Sequence, residues 1–247
     1  MDREFVLVTG ASSGIGAETS RLLSRYYNMI LCGRDIDRLE LVKEQCESGN
    51  HLIWIYDLSK VVDIESSLTS FIAEKAVKVS YFVHSAGMMK NVPLKLLSTE
   101  LLFNTYKINV IAAAMIIKVL TGKKTNDKGL MSAVLISSNI SNFGAKAHSA
   151  YGASKAAIDG LMRSLAIELA PNVRINSVLP GGIKTALTAR IFEDKELIRK
   201  MELSYPLGLG CTNDIANAVE FLLSNRSRWI TGQQITVDGG RTINLTV

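Results

Sequence analysis

Cysteine is scarce in this chain, with three in 247 residues, at 32, 46 and 211. Their spacing gives no disulfide framework and suits a reducing, cytoplasmic setting. Histidine is as sparse, and His51, His84 and His148 are too scattered to build a metal site. Long apolar runs are missing too: the longest, Ile108 to Leu120, is interrupted by Asn109 and Lys118 and is too short to span a bilayer. After Met-Asp-Arg-Glu the pattern enters a strand at once, so a signal peptide is not expected. Charge of one sign is barely in excess, at +5, and bases alternate with acids along most helical stretches. That balance points away from nucleic acid and towards anionic small molecules or an acidic carrier protein. No polar or repetitive tract argues for disorder, and no linker or repeat divides the chain, so residues 1–247 read as one domain.

What is present is a 47% apolar composition arranged in alternation. Strand-like runs are expected at Phe5–Thr9, Met29–Cys32, Leu52–Tyr56, Tyr81–His84, Ala133–Ser137, Arg174–Leu179 and Gln234–Val237. Helical periodicity falls between them, near Gly14–Tyr26, Asp37–Cys46, Val62–Lys75, Thr99–Leu120, Tyr151–Leu169 and Asn213–Leu223. Near-continuous apolar strands, each followed by a helix, indicate an α/β fold: a doubly wound, Rossmann-type parallel sheet of about seven strands with helices on both faces. Ligands of such sheets lie beyond the strands' carboxyl ends. The segment 184–205 is an insertion long enough to form a substrate lid over that crevice.

The first strand runs into Thr9-Gly10-Ala11-Ser12-Ser13-Gly14-Ile15-Gly16. Glycines there permit a tight turn and let the backbone approach a pyrophosphate at the next helix N-terminus. The spacing is a variant of the usual dinucleotide fingerprint. The second strand ends Gly33-Arg34, where Gly33 leaves room and Arg34 offers a guanidinium fork to a 2′-phosphate, so NADP(H) is the expected cofactor. Asp35 either pairs with Arg34 or caps the following helix. Asp57 either contacts an adenine amine or caps its own turn through Ser59.

Tyr151 and Lys155 are four apart on one helix and so share a face. Upstream, the strand-like run at 134–138 delivers the hydroxyls of Ser137 and Ser138 at its carboxyl end. A hydroxyl, a phenol and an ammonium together suggest proton transfer to a carbonyl oxygen. A free phenol titrates near pH ~10, and a neighbouring ammonium would lower it.

Together these stretches resemble the short-chain dehydrogenase/reductase family along essentially the whole chain. The loop from Thr9 to Gly16 matches its cofactor motif, and Asp57-Leu58 its adenine-pocket pair. Ser138, Tyr151 and Lys155 match its catalytic serine and Tyr-x-x-x-Lys, and Asn109 its fourth catalytic position. Pro180-Gly181-Gly182-Ile183-Lys184-Thr185 is similar to the segment gripping the nicotinamide amide, and Asp238-Gly239-Gly240 to the closing motif. The resemblance implies that Gly10, Ser12, Ser13, Gly14, Ile15, Gly16, Arg34, Asp57, Leu58, Ser85, Ala86, Gly87, Pro180, Gly181, Ile183 and Thr185 bind the cofactor with Tyr151 and Lys155. It also implies that Asn109 positions a water next to Lys155, and that the chain forms a homotetramer or homodimer.

The pattern is most similar to 3-oxoacyl-acyl carrier protein reductases. The expected activity is therefore NADPH-dependent reduction of a ketone, free or carrier-bound, with Lys123, Lys124 and Lys128 available to dock an acidic acyl carrier protein. A sugar, polyol or other small-alcohol dehydrogenase is the alternative within the enzyme class, and a catalytically silent NADP-binding sensor or assembly subunit the alternative outside it. Three departures stand out. His84-Ser85-Ala86-Gly87 replaces Asn-Asn-Ala-Gly. Ser13 stands where many NADP-dependent members carry a base. Pro206-Leu207-Gly208-Leu209-Gly210 lacks the arginine of the carrier-protein reductases.

Overall fold

The computed structural model describes residues 3–189, 193 and 195–244. Seven strands form one sheet in the order β3-β2-β1-β4-β5-β6-β7. They are β1 (Phe5–Thr9), β2 (Asn28–Gly33), β3 (Leu52–Ile55), β4 (Val79–His84), β5 (Ser132–Ile136), β6 (Arg174–Pro180) and β7 (Gln234–Val237). Every adjacent pair is parallel. The chain winds outward from β1 to β3, then crosses to β4 on the other side of β1. The order therefore reverses between β1 and β4, which opens a crevice at their carboxyl ends.

Residues alternate between two cores because successive strand side chains point to opposite faces. Leu7, Ile30, Phe82 and Leu135 face one core, and Val6, Val8, Leu31 and Val134 face the other. The second core is covered by α1 (Gly14–Leu23), α2 (Ile36–Glu44) and α9 (Thr212–Leu223). The first is covered by α3 (Ile64–Lys75), α5 (Ala112–Thr121) and α7 (Ser149–Glu168). Two further helices are the short α6 (Lys123–Asn126) and α8 (Lys195–Ser204).

The helix expected over Thr99–Leu120 is interrupted. It consists of α4 (Thr99–Tyr106), a π-helical turn over Lys107–Ile111, and α5. By length and hydropathy Thr99–Thr121 could cross a membrane. Here Ala112, Ala113, Ile116, Ile117 and Leu120 are instead packed into the core. Each large aliphatic buried this way contributes about 2–5 kcal/mol, judged by truncation to alanine.

The lysines expected to dock a carrier sit at the end of the sheet opposite the crevice. Lys123 and Lys124 are in α6, whose Asn126 amide bonds both the Val79 N–H and carbonyl, each at 2.8 Å, at the start of β4. Lys128 follows in the turn leading to β5. Strands of this length are roughly 17 Å long, so these cations face away from the crevice at the opposite ends of β4 and β5. Of the expected lid, residues 190–192 and 194 lie outside the described residues, and Lys195–Ser204 forms α8.

Candidate active site

One cavity of about 460 Å³ lies at the switch point beyond β1 and β4. It gathers Gly10, Ser12, Ser13, Gly14, Ile15, Arg34, Asp57, Leu58, Ser85, Ala86, Gly87, Ser138, Tyr151, Lys155, Pro180, Gly181, Ile183 and Thr185. Two expected residues do not line it. Gly16 is buried under the glycine loop, where a Cβ would collide with the Gly10 carbonyl, so its small size serves packing. Asn109 is fully buried behind the cavity wall.

The glycine loop is shaped for a dinucleotide. Gly10 has φ +66° and a Cβ there would lie 2.8 Å from the Ala86 backbone. Gly14 has φ +56°, and a Cβ there would lie 3.3 Å from the Thr185 side chain. Ser13 is the N-cap of α1, yet its side chain makes no capping hydrogen bond, and the first turn holds no acid. The leading amides of α1 and the positive end of its dipole are thus left for an anion such as a pyrophosphate. This cradle fits the phosphates of a nicotinamide dinucleotide.

At the adenosine end, the structure decides what Asp35 does. Its Oδ1 accepts from the Arg38 N–H at 3.2 Å, capping α2, and its Oδ2 pairs with Arg38 at 3.2 Å. Arg34 is exposed and makes no ion pair among the described residues. Asp57 both lines the cavity and caps its own turn, accepting the Ser59 N–H at 3.0 Å. Burial would raise the Asp57 carboxyl, but the Ser59 hydrogen bonds together with Arg34 and Lys60 outweigh it and hold the group below the ordinary carboxylate range.

Helix α7 and the end of β5 present the chemical groups. Tyr151 is 8% exposed and Lys155 is 3% exposed. The Lys155 ammonium donates to the Ile136 carbonyl at 2.7 Å and stands 5.6 Å from the Tyr151 ring centroid. Burial pushes the Lys155 ammonium down to about 8, with Asp159 opposing the shift. Burial raises the Tyr151 phenol, partly offset by a hydrogen bond with Ser138. Burial thus outweighs the depression expected from Lys155. Here the ammonium is turned to a backbone carbonyl and meets the ring face instead.

The π-helical turn carries Asn109 inward, as such insertions do near functional sites. Its Oδ1 accepts the Met88 N–H at 2.7 Å, while Nδ2 donates to the Met88 carbonyl at 3.1 Å and to Ser154 Oγ at 2.9 Å. The amide is therefore committed to fixing the strand-end loop beside Gly87. His84, which departs from the family's asparagine, is fully buried between Thr9 Oγ1 and the Ile108 carbonyl, each at 3.0 Å. The carbonyl requires Nε2–H, so Nδ1 accepts from Thr9. Burial and the Lys155 charge hold this imidazole neutral, down to about 3.

On the far wall, Gly181 N–H donates to the Val237 carbonyl at 3.0 Å and Gly182 N–H to Tyr205 Oη at 2.8 Å. A Cβ on Gly181 would lie 2.8 Å from Asp238, so β6 and the closing motif meet there. Tyr205, Ser154 and Asp159 shape this site without having been singled out in the sequence. Asp159 alone left a signal there, an acid one helical turn beyond Lys155.

A family model described as Enoyl-(Acyl carrier protein) reductase matches residues 10–242. The chain belongs to the short-chain dehydrogenase/reductase family. It is 31% identical to a Gluconobacter oxydans glucose 1-dehydrogenase over 96% of this chain and 91% of that protein. It is 32% identical to a Mus musculus 3-oxoacyl-[acyl-carrier-protein] reductase over 97% of this chain and 98% of that one. Among solved structures, 4-hydroxyisoleucine dehydrogenase complexed with NADH superposes with a TM-score of 0.89 at 26% identity, covering 98% of this chain and 99% of that one. As a family member, the protein is an oxidoreductase interconverting CH–OH and C=O groups with a nicotinamide cofactor.

Proposed function

We propose that this enzyme uses NADP(H) to reduce a small-molecule ketone to a secondary alcohol. The observation carrying the reading is that Ser138, Tyr151 and Lys155 line the same cavity as the glycine loop and Arg34, which makes no ion pair among the described residues. A bound nicotinamide supplies the hydride. The chain's own residues handle the oxygen. Tyr151, neutral at physiological pH because burial raises its phenol, donates the proton to the developing alkoxide. Ser138 donates a hydrogen bond to the same oxygen, and that bond strengthens as charge develops. Lys155, still largely protonated below about 8, supplies the positive charge that stabilises the phenolate left behind. Arg34 takes the 2′-phosphate, and Asp57-Leu58 border the adenine. Asn109 acts through Met88 and Ser154 rather than on substrate.

Two substrate classes have support. A glucose 1-dehydrogenase relative favours a sugar or polyol. A 3-oxoacyl-[acyl-carrier-protein] reductase relative favours a 3-oxoacyl thioester. Against a carrier-bound substrate stands the placement of Lys123, Lys124 and Lys128 at the opposite end of the sheet. Segment 184–205 serves as the substrate lid, tied down through Tyr205. Exposed Ile167 on α7 and Trp229 before β7, 80% and 89% accessible, favour a homotetramer or homodimer. Three free cysteines suit the cytoplasm.

The test is cofactor turnover by the purified enzyme with acetoacetyl-N-acetylcysteamine, cyclohexanone and a keto sugar under NADPH and under NADH, and with D-glucose under NADP+ and under NAD+. Turnover of one class with NADP(H) preferred supports the reading. Equal use of NAD(H), or tight cofactor binding with no turnover of any substrate, contradicts it.

A further inference from the structure

We propose that Asp159 is a positioning residue of this site, its carboxylate serving as the buried counter-charge to Lys155 and held in place by Ser137. The proposal rests on Tyr151 and Lys155 being the acid/base pair described above.

Tyr151, Lys155 and Asp159 stand at successive four-residue steps on one face of α7, and all three are buried. Asp159 is 1% exposed. Its Oδ2 accepts the Ser137 hydroxyl at 2.8 Å, and that same hydroxyl lies 3.2 Å from the Lys155 carbonyl. Its Oδ1 has no hydrogen-bond partner among the described residues. A buried carboxylate oxygen without a partner is costly unless a nearby cation compensates it. Among the described residues no direct ion pair joins Asp159 to Lys155, but Lys155 is the buried cation one turn away on the same helix face, and the carboxylate acts on it through its field.

The other groups around Lys155 cannot take this part. From β4 comes His84, which is neutral. From α7 comes Tyr151, a neutral phenol. The π-helical turn contributes the Asn109 amide, and the end of β5 contributes the Ile136 carbonyl with the hydroxyls of Ser137 and Ser138. Without Asp159 the ammonium would be buried among neutral groups, and burial alone would drive it towards the neutral amine. A neutral Lys155 has no charge with which to stabilise a Tyr151 phenolate. Ser137 precedes Ser138 in the chain, so its bond to Asp159 also registers β5 against α7 where the catalytic groups meet.

The test follows the Lys155 side chain directly, by 13C NMR titration of [13C]lysine-labelled protein, with the resonance assigned by Lys155→Arg. The wild type is expected to titrate near 8. Asp159→Asn, which keeps the shape and the Ser137 bond but not the charge, is expected to lower the midpoint by about one pH unit. Asp159→Glu should restore it to within half of that shift. Asp159→Ser is the second neutral variant, and whichever of the two folds carries the expectation. The alkaline limb of kcat/KM for acetoacetyl-N-acetylcysteamine reduction should move down in parallel, a change that loss of packing alone would not produce. A neutral variant whose Lys155 titrates as the wild type does overturns the proposal. A wild type that turns over no carbonyl overturns only the functional reading, since the titration needs no substrate.

Discussion

The Lys155 ammonium donates to the Ile136 carbonyl at 2.7 Å, so the cation beside the proposed acid is anchored to the strand that leads into Ser138. This bond fixes Lys155 over the Tyr151 ring and inside the protein, where a charge is expensive. Its ammonium titrates near 8 in the fold against 10.5 for an ordinary lysine. Between those values an unfolded chain holds a proton that the fold has released, so the contribution of Lys155 to stability rises with pH across that window. Relative to Lys155→Met, the wild type should gain on the order of 3 kcal/mol from pH 7 to pH 10. Urea unfolding of both proteins across that range measures it. A constant difference would show that Lys155 is not desolvated.

His84 behaves differently with acid. Its imidazole is neutral in the fold, down to about 3, whereas the unfolded chain takes up a proton near 6.5. Its contribution is therefore fully present above pH 6.5 and is lost progressively as pH falls towards 3. That loss amounts to on the order of 4 kcal/mol at the acid end. His84→Gln should flatten the acid side of the stability profile, read as melting temperature between pH 4 and pH 7. An unchanged slope would place the acid sensitivity elsewhere.

Asn109→Ala should destabilise the protein by about 2 kcal/mol, because the Met88 N–H and carbonyl both lose their partner in a buried place. Turnover should fall with it, since Met88 follows Gly87 on the cavity wall. Chemical denaturation and steady-state rates measured on the same preparation check both. Full activity in a folded variant would confine Asn109 to stability.

Arg34→Ala should weaken NADPH by roughly ten- to a hundredfold, the worth of charge-assisted hydrogen bonds to a phosphate, and should barely change NADH. Fluorescence titration of each cofactor measures this. An equal loss for both would assign Arg34 a role unrelated to the 2′-phosphate.

The fold was legible because each strand is a compact apolar run and each covering helix has its own periodicity. The cavity residues were legible because glycines and hydroxyls cluster at strand ends, where a parallel sheet puts its ligands. Three features were not. The π-helical turn adds its residue inside an otherwise regular apolar helix, so nothing in the 3.6-residue pattern marks Lys107–Ile111. The orientation of Lys155 depends on the Ile136 carbonyl, a backbone group that periodicity does not locate. The placement of Lys123, Lys124 and Lys128 was not legible because sequence order near β5 does not say which end of the strand a charge occupies. The loop entering β5 and the serines leaving it are separated by the length of the strand.

The most direct test of the proposed chemistry compares Tyr151→Phe with the wild type in NADPH oxidation, using the carbonyl the wild type reduces best. With the phenol hydroxyl gone and the ring kept, the rate is expected to fall at least ~100-fold while NADPH affinity stays within about twofold. A variant that retains wild-type turnover would contradict Tyr151 as the proton donor, and with it the reading of the whole site.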